Sequence, residues 1–210
     1  MAAVLEQDYY ETLKVFNEDS RYFPTVRAIP LTEMKDINGD GILEEVPCPL
    51  IAVDLNSRTI TLPDEYKDFL SMEKDHRAEN VYFVVDRYYE DVDLFRTTCL
   101  VEYINAATPP KARLYPITLY DTESLKQEGK MIMAWCLGNE ATEAAGKLEF
   151  ALHFYTLNTD TRSLVYSLRT RPATGNILHG MHIKDKQLEE KQEYYNMSSN
   201  DFETIVSMIH

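Results

Sequence analysis

The fold is decided by the stretch Lys147-Leu-Glu-Phe-Ala-Leu-His-Phe-Tyr-Thr-Leu157. Large apolar side chains recur at every second position of its first half. Because successive side chains of a β-strand point to opposite faces of a sheet, this alternation predicts a strand with one face in the core. The predicted core face is Leu148, Phe150, Leu152 and Phe154. The residues predicted on the opposite face are Glu149, Ala151, His153 and Tyr155.

Similar strand patterns lie on both sides of this stretch. In the segment 97–104, Cys99, Val101 and Tyr103 face together. The predicted strands outside 147–157 are 50–53, 58–62, 81–85, 97–104, 114–120, 130–137 and 163–169. No helical segment of about 10 to 15 residues separates successive strands, which argues against parallel βαβ units. We therefore expect a mainly β fold, an antiparallel sandwich with short polar turns.

Helical patterns flank the predicted sandwich. Residues 4–16 carry Leu5, Tyr9, Leu13 and Phe16 near helical spacing. Between residues 21 and 49, four prolines (Pro24, Pro30, Pro47 and Pro49) and the turn run Asn38-Gly-Asp-Gly41 favour an extended arm with one tight turn. A short helix over 63–70 is expected to bury Tyr66, Phe69 and Leu70. In the tail, Asn200 and Glu203 form a capping box before an apolar stripe. The predicted division is an N-terminal helix and arm at 1–46, a β-sandwich domain at 47–182 and a helical tail at 183–210.

Charge limits the classes of partner. The 21 basic and 35 acidic residues give a net charge of −14, which opposes binding to nucleic acid and to anionic membranes. The acidity is uneven, since residues 1–46 and 64–93 each carry −6, the tail 182–210 carries −3 and the strand-rich segment 94–181 carries +1. We therefore expect basic protein neighbours at the arm and the tail.

The cysteines and the first residues indicate the compartment. Cys48, Cys99 and Cys136 are an odd number and form no C-x-x-C pair, so we expect reduced core thiols. Residues 1–10 lack a basic signal-peptide region, and the longest apolar run, 131–137, is far shorter than the roughly 20 residues of a membrane span. Synthesis and folding in a cytoplasm are expected.

The turn between residues 36 and 44 resembles the start of a calcium loop. Asp36, Asn38 and Asp40 occupy the first, third and fifth positions, and Gly41 follows. Pro47 stands where an EF-hand needs a bidentate glutamate, which excludes an EF-hand. A calcium site of another kind and a plain Asn-Gly or Asp-Gly turn both remain open.

No other motif predicts catalysis or a cofactor. His179 and His182 with Asp185 give a weak zinc pattern, and solvated histidines are the alternative. The sequence contains no Gly-x-Ser-x-Gly elbow and no glycine-rich phosphate loop. We therefore expect no catalytic residues and no cofactor.

Aromatic pairs and the tail stripe predict an interface. Neighbouring side chains of a strand or helix cannot both enter one core, so the doublets Tyr9-Tyr10, Tyr88-Tyr89 and Tyr194-Tyr195 each bring a ring to a surface. Tyrosine is favoured in subunit contacts. Packing at the rim of the core and a tyrosine-lined sugar site are the alternatives. The predicted interface residues are Tyr9, Tyr10, Tyr194, Tyr195, Phe202, Ile205, Val206 and Ile209.

Four stretches carry a resemblance to a known family. They are Ile60-Thr-Leu-Pro-Asp-Glu-Tyr-Lys-Asp-Phe-Leu70, Glu79-Asn-Val-Tyr-Phe83, Met133-Ala-Trp-Cys-Leu-Gly-Asn-Glu-Ala-Thr142 with Ala145-Gly-Lys-Leu-Glu-Phe150, and Leu164-Val-Tyr-Ser-Leu-Arg-Thr-Arg-Pro172. They resemble bacteriophage virion structural proteins, above all the N-terminal domain of baseplate upper proteins and similar tail or fibre-attachment proteins. The resemblance covers about residues 50–180 and implies an immunoglobulin-like β-sandwich.

The resemblance implies a non-enzymatic virion protein that anchors part of a tail baseplate or a fibre attachment point. The expected partners are other virion structural proteins and further copies of the chain, with no nucleic acid and no membrane. The expected location is the virion, after synthesis in the host cytoplasm. The alternative function is a module on the virion surface that binds a host receptor or a carbohydrate.

Overall fold

The computed structural model describes residues 7–18, 32–36, 38–39, 41–110, 112–120 and 128–180. The chain divides into the compact units Met1–His179 and Gly180–His210, and every described residue except Gly180 belongs to the first. Within the described part, no helix is long and apolar enough to span a membrane. The predicted tail helix, with Tyr194, Tyr195, Phe202, Ile205, Val206 and Ile209, lies outside the described residues.

The fold is mainly β. Its two helices are α1 (Gln7–Glu18) and α2 (Asp64–Asp68), and a 3₁₀ turn covers Leu94–Arg96. The strands in chain order are β1 (Thr32–Lys35), β2 (Glu44–Pro47), β3 (Leu50–Asp54), β4 (Thr59–Thr61), β5 (Ser71–Met72), β6 (Asn80–Asp86), β7 (Tyr88–Tyr89), β8 (Val92–Asp93), β9 (Thr98–Ile104), β10 (Ala112–Pro116), β11 (Thr118–Tyr120), β12 (Lys130–Cys136), β13 (Gly146–Asn158), β14 (Ser163–Arg169) and β15 (Ala173–Leu178).

A six-stranded sheet is built around β13, the longest strand. It has the order β10-β9-β13-β15-β5, and β14 pairs with the C-terminal half of β13. β14 and β15 therefore continue each other along one side of β13. Thr170 bridges the break between them, since its amide donates to the Leu152 carbonyl at 3.0 Å and its hydroxyl accepts from the Leu152 amide at 2.9 Å.

A five-stranded sheet with the order β11-β12-β6-β3-β4 packs against the first through a shared core. The predicted core residues Leu148, Phe150, Leu152 and Phe154 are all buried, as are Cys99, Val101 and Tyr103. Rings from both sheets meet in this core. Phe150 lies 6.0 Å from Phe83 and 5.5 Å from Trp135, measured between ring centroids. The sequence pattern of β9 and β13 therefore predicts their core faces correctly.

The expected antiparallel sandwich is found only in part, because two of the strand pairs are parallel. β3 pairs with β6 in parallel, and β15 pairs with β5 in parallel, so both sheets are mixed. A parallel pair needs a long crossover, and here the chain between β3 and β6 runs through β4, α2 and β5. Because β5 belongs to the opposite sheet, the chain leaves its sheet and returns in the original direction. No long helix marks this crossover in the sequence.

The predicted strand over 114–120 is two strands in different sheets. β10 pairs with β9 in one sheet, and β11 pairs with β12 in the other. Ile117 lies between them, buried, and its amide donates to the Cys99 carbonyl at 3.1 Å. The apolar pattern is continuous across this change of sheet, so the sequence does not reveal it.

The predicted helix over 63–70 is shorter than expected. α2 covers only Asp64–Asp68, with Pro63 as an extended N-cap. Leu70 is buried and Tyr66 packs against the core, as expected, but Phe69 is 37% exposed. The helix ends before Phe69, which adopts an extended backbone and turns its ring outward.

The second face of β13 is partly buried as well. His153 and Tyr155 on that face are buried. Residues of α1 pack on Tyr155, and the His153 ring lies 5.1 Å from the Tyr155 ring. The cysteines are thiols, as expected, although only Cys99 is buried while Cys48 and Cys136 are half-buried.

Candidate functional site

Two features outside the shared core are candidates for function: the face of the six-stranded sheet beneath α1, and the hairpin formed by β1 and β2. The first begins with apolar packing. Tyr10 and Leu13 of α1 form a second buried cluster with Leu100, Tyr155 and Leu157 of the sheet. The Tyr155 hydroxyl donates to the Leu13 carbonyl at 2.9 Å, which ties the helix backbone to the strand.

A polar chain lies beside this cluster. His153 is fully buried, and its Nε2 lies 3.0 Å from the hydroxyl of the exposed Ser167. Its Nδ1 lies 3.0 Å from Oε1 of Glu102, although the ring N–H is not aligned with that oxygen. The strand register places all three side chains on the same face of the sheet.

Arg169 closes the polar chain and joins it to α1. Its guanidinium lies 3.3 Å from the Glu102 carboxylate and also donates to the Tyr9 hydroxyl. Burial raises the pKa of Glu102, but His153 and Arg169 more than offset this and leave the pKa below its ordinary value. Burial is the main cause of the raised pKa of Tyr9. Glu102 is thereby kept as a carboxylate between two basic side chains.

The order Ser167, His153 and Glu102 matches that of a serine–histidine–acid triad. In such a triad the acid accepts the Nδ1–H of the histidine and fixes its tautomer. That bond is not aligned here, and the His153 ring is fully buried, 5.1 Å from the Tyr155 ring. Arg169 also forms an ion pair with the Glu102 carboxylate. The arrangement is therefore suited to holding α1 on the sheet, through Tyr9 and the Leu13 carbonyl.

A shallow groove of about 220 Å³ lies beside Glu102 on this face. Its polar side chains are Glu102 and Glu149, and Ile104, Ala112, Ala151 and Pro172 supply the apolar part. Tyr103 also borders the groove, but its ring is buried in the core, 5.3 Å from Trp135. No described tyrosine ring therefore forms a flat platform for a sugar in this groove.

The second candidate feature is the hairpin arm, defined as residues 32–47. β1 and β2 pair in the register Thr32↔Pro47 to Lys35↔Glu44, and within the described part of the chain they pair with no other strand. Large apolar side chains on the arm face solvent: Met34 is 57%, Leu43 57% and Ile42 65% exposed. The predicted extended arm with one tight turn is therefore a hairpin with an apolar surface.

The turn of the arm holds the predicted calcium ligands. Asp36 accepts hydrogen bonds from the amides of Gly39 at 2.6 Å and Gly41 at 2.8 Å, and the side-chain amide of Asn38 donates to Glu44 at 2.8 Å. Asp40 lies outside the described residues. Both glycines have positive φ, as a tight turn requires. Calcium binding here stays a prediction, and calorimetric titration with calcium tests it.

The remaining predicted residues are separated in the structure. Tyr10 and Tyr9 belong to α1, where Tyr10 is buried and Tyr9 half-buried, and both pack against the sheet of their own domain. His179 lies 3.3 Å from Glu73, whereas His182 and Asp185 lie outside the described residues. No group of three or more metal-ligating side chains occurs among the described residues.

Sequence reasoning missed Glu102, Ser167 and Arg169, and it placed His153 only on the second face of its strand. The available signal was a histidine among the apolar residues of β13, but its partners are on two other strands. The exposed apolar residues of the arm were a clearer indication of a contact surface, because they lie in an acidic segment that has prolines at both ends.

No protein-family model, curated protein or solved structure matches this chain. The function is therefore inferred from the two features described above.

Proposed function

We propose that this chain is a non-enzymatic structural protein of a bacteriophage virion, an assembly or anchoring component of the tail baseplate or of a fibre attachment point. The observation that carries the proposal is the hairpin arm with its exposed Met34 and Leu43. A two-stranded hairpin is marginally stable alone in water, and contiguous exposed apolar residues mark interaction sites. The arm has the properties of a segment that a neighbouring protein covers.

The body of the protein supports this proposal. Its two sheets share one core, and α1 is fastened to the outer face by Leu13, Tyr155 and Arg169. A protein that carries load in an assembly needs such a packed body beside an accessible contact segment. The sequence stretches that resemble virion proteins lie in this body, between residues 60 and 172.

We also propose that the body is a variant of the immunoglobulin-like sandwich. Antiparallel pairs predominate in both sheets, and the chain changes sheets at Ile117, as strands at the corners of sandwiches do. The two parallel pairs distinguish it from a purely antiparallel sandwich.

The experiment that tests the function uses particles of the phage that encodes the chain. The double variant Met34→Asp and Leu43→Asp is expected to unfold at the wild-type temperature, because both side chains already face water. Its copy number in purified particles, measured by quantitative mass spectrometry, is expected to fall at least about tenfold, as for loss of interface anchors.

The matched control replaces exposed apolar residues elsewhere, Val15→Asp on α1 and Ile104→Asp on β9, which are 52% and 42% exposed. This control is expected to incorporate normally. Wild-type incorporation of the arm variant would contradict the proposed function.

A further inference from the structure

We propose that the hairpin arm of one copy docks on the free edge of β14 in a second copy and extends the six-stranded sheet. The proposal rests on the assembly role proposed above and names the partner of the arm, another copy of this chain. The docking surface is the basic edge, defined as residues 162–171.

The basic edge is open for strand addition. Within the described part of the chain, β14 pairs only with β13, and no backbone hydrogen bond is made by residues 163–169 on the opposite side. A strand with unpaired N–H and C=O groups is a template for a further strand. Val165, at the irregularity in the β13–β14 pairing, is 66% exposed and offers an apolar contact there.

The charges of the two surfaces are complementary. The basic edge holds Arg162, Arg169 and Arg171 and no acidic residue. Because Arg169 is already paired with Glu102, Arg162 and Arg171 supply the positive charge of this edge that is available to a partner. The Arg171 amide donates to the Arg58 carbonyl at 2.7 Å, which brings a further arginine to the edge. Neither Arg58 nor Arg171 has a side-chain ion pair within the described part of the chain. The arm carries one basic and five acidic residues, a net charge of −4.

These charges also select the partner. Two basic edges repel each other, so pairing of β14 with a second β14 is opposed. An acidic strand gains from the same arginines. The exposed apolar residues of the arm can then cover Val165, which strand pairing alone would leave in water.

The position of the arm favours a contact between copies. The pairing of Ala52 with Thr61 places the start of β3 beside the end of β4, far from the turn that holds Arg58. β14 ends at Arg169, just before the bond between the Arg171 amide and the Arg58 carbonyl, so β14 extends from this point in the other direction. β15 continues toward α2, where the Asn176 side-chain amide donates to the Lys67 carbonyl at 2.8 Å. Only Cys48 and Pro49 separate β2 from β3, so the arm leaves the body at the end remote from β14. The resulting contact is head-to-tail, which builds rings or filaments.

Cross-linking between differently tagged full-length copies tests this contact. One copy carries Leu43→Cys and the other carries Val165→Cys, so a disulfide between these positions joins two molecules. Under mild oxidation we expect a covalent dimer with both tags, at least about tenfold more abundant than with Val15→Cys in place of Val165→Cys. An equal yield with Val15→Cys, which is also an exposed valine on the surface, would overturn the proposal.

Charge reversal provides the second measurement. Arg58→Glu with Arg171→Glu in the Val165→Cys copy is expected to lower the cross-link at least about tenfold. Glu44→Lys with Glu45→Lys in the other copy is expected to restore it. Lys147→Glu, an exposed reversal on β13, is the control and should leave the yield unchanged. If Arg58→Glu with Arg171→Glu leaves the cross-link yield unchanged, the assignment of the basic edge as the docking surface is contradicted.

The experiments distinguish failure of the proposed virion function from failure of the proposed contact between copies. If arm variants lose incorporation into particles but the cross-link is absent, the arm binds another protein and this inference is wrong. If the cross-link forms but incorporation does not depend on the arm, the contact between copies stands and the virion function is wrong.

Discussion

Among single residues, an ion pair contributes most to the stability of this fold where both side chains are largely buried and two hydrogen bonds join them. The guanidinium of Arg87 contacts both carboxylate oxygens of Asp93, at 2.9 and 3.0 Å, and Asp93 also accepts from the Phe95 amide at 3.2 Å. Hydrogen bonding from Arg87 is the largest cause that holds the pKa of Asp93 below its ordinary value of 3.8. The pair fixes the short β7–β8 hairpin to the 3₁₀ turn that follows it.

The Arg87–Asp93 pair makes the free energy of unfolding depend on pH. A carboxyl whose pKa is lower in the folded state stabilises the fold above its unfolded pKa, and this stabilisation is lost as pH falls through the folded pKa. We therefore expect the free energy of unfolding to decrease below about pH 4. Asp93→Asn is expected to lower the free energy of unfolding by about 1 to 3 kcal/mol at pH 7. The free energy of unfolding of this variant should then decrease less steeply in acid than that of the wild type.

Urea unfolding at a series of pH values measures both effects. Asp160→Asn, in an exposed turn, is the control and should change the free energy of unfolding by less than about 0.5 kcal/mol. Parallel pH curves for wild type and Asp93→Asn would contradict this role of the ion pair.

The sequence pattern identifies the strands, but it does not show which segments pack on their outer faces or which sheet each strand joins. Alternation in β13 identifies Leu148 and Phe150 as core residues, because a period of two follows from strand geometry alone. It does not reveal that His153 and Tyr155 are buried, since an outer face is buried only when a distant segment docks on it. For the same reason the partners of His153 could not be foreseen. The change of sheet at Ile117 leaves no mark in an apolar run.

The docking of α1 gives an element-scale prediction. Leu13 is fully buried between the helix and the sheet, so Leu13→Ala is expected to lower the free energy of unfolding by about 2 to 4 kcal/mol. Val15, on the same helix, is 52% exposed, and Val15→Ala should change it by less than about 0.5 kcal/mol. Denaturant unfolding compares them, and equal effects of the two variants would show that α1 does not contribute to the fold as described.

At the scale of the whole molecule, the net charge of −14 is the sum of regions that differ in role. The arm is acidic and the edge of β14 is basic, although they belong to one chain. Such a distribution keeps the isolated protein soluble and also provides two complementary surfaces. The sequence alone indicated basic neighbours for the arm, and the structure adds a specific basic strand edge on the molecule itself.

We propose that the chain is a component of a virion and that its arm is covered by a neighbour there. An electron cryo-microscopy map of particles of the phage proposed to encode the chain tests both parts of this proposal. We expect density for the two-sheet body at repeated positions, with residues 32–47 against an adjacent subunit. Particles that lack this body, or a body whose arm points into solvent at every position, would contradict the account.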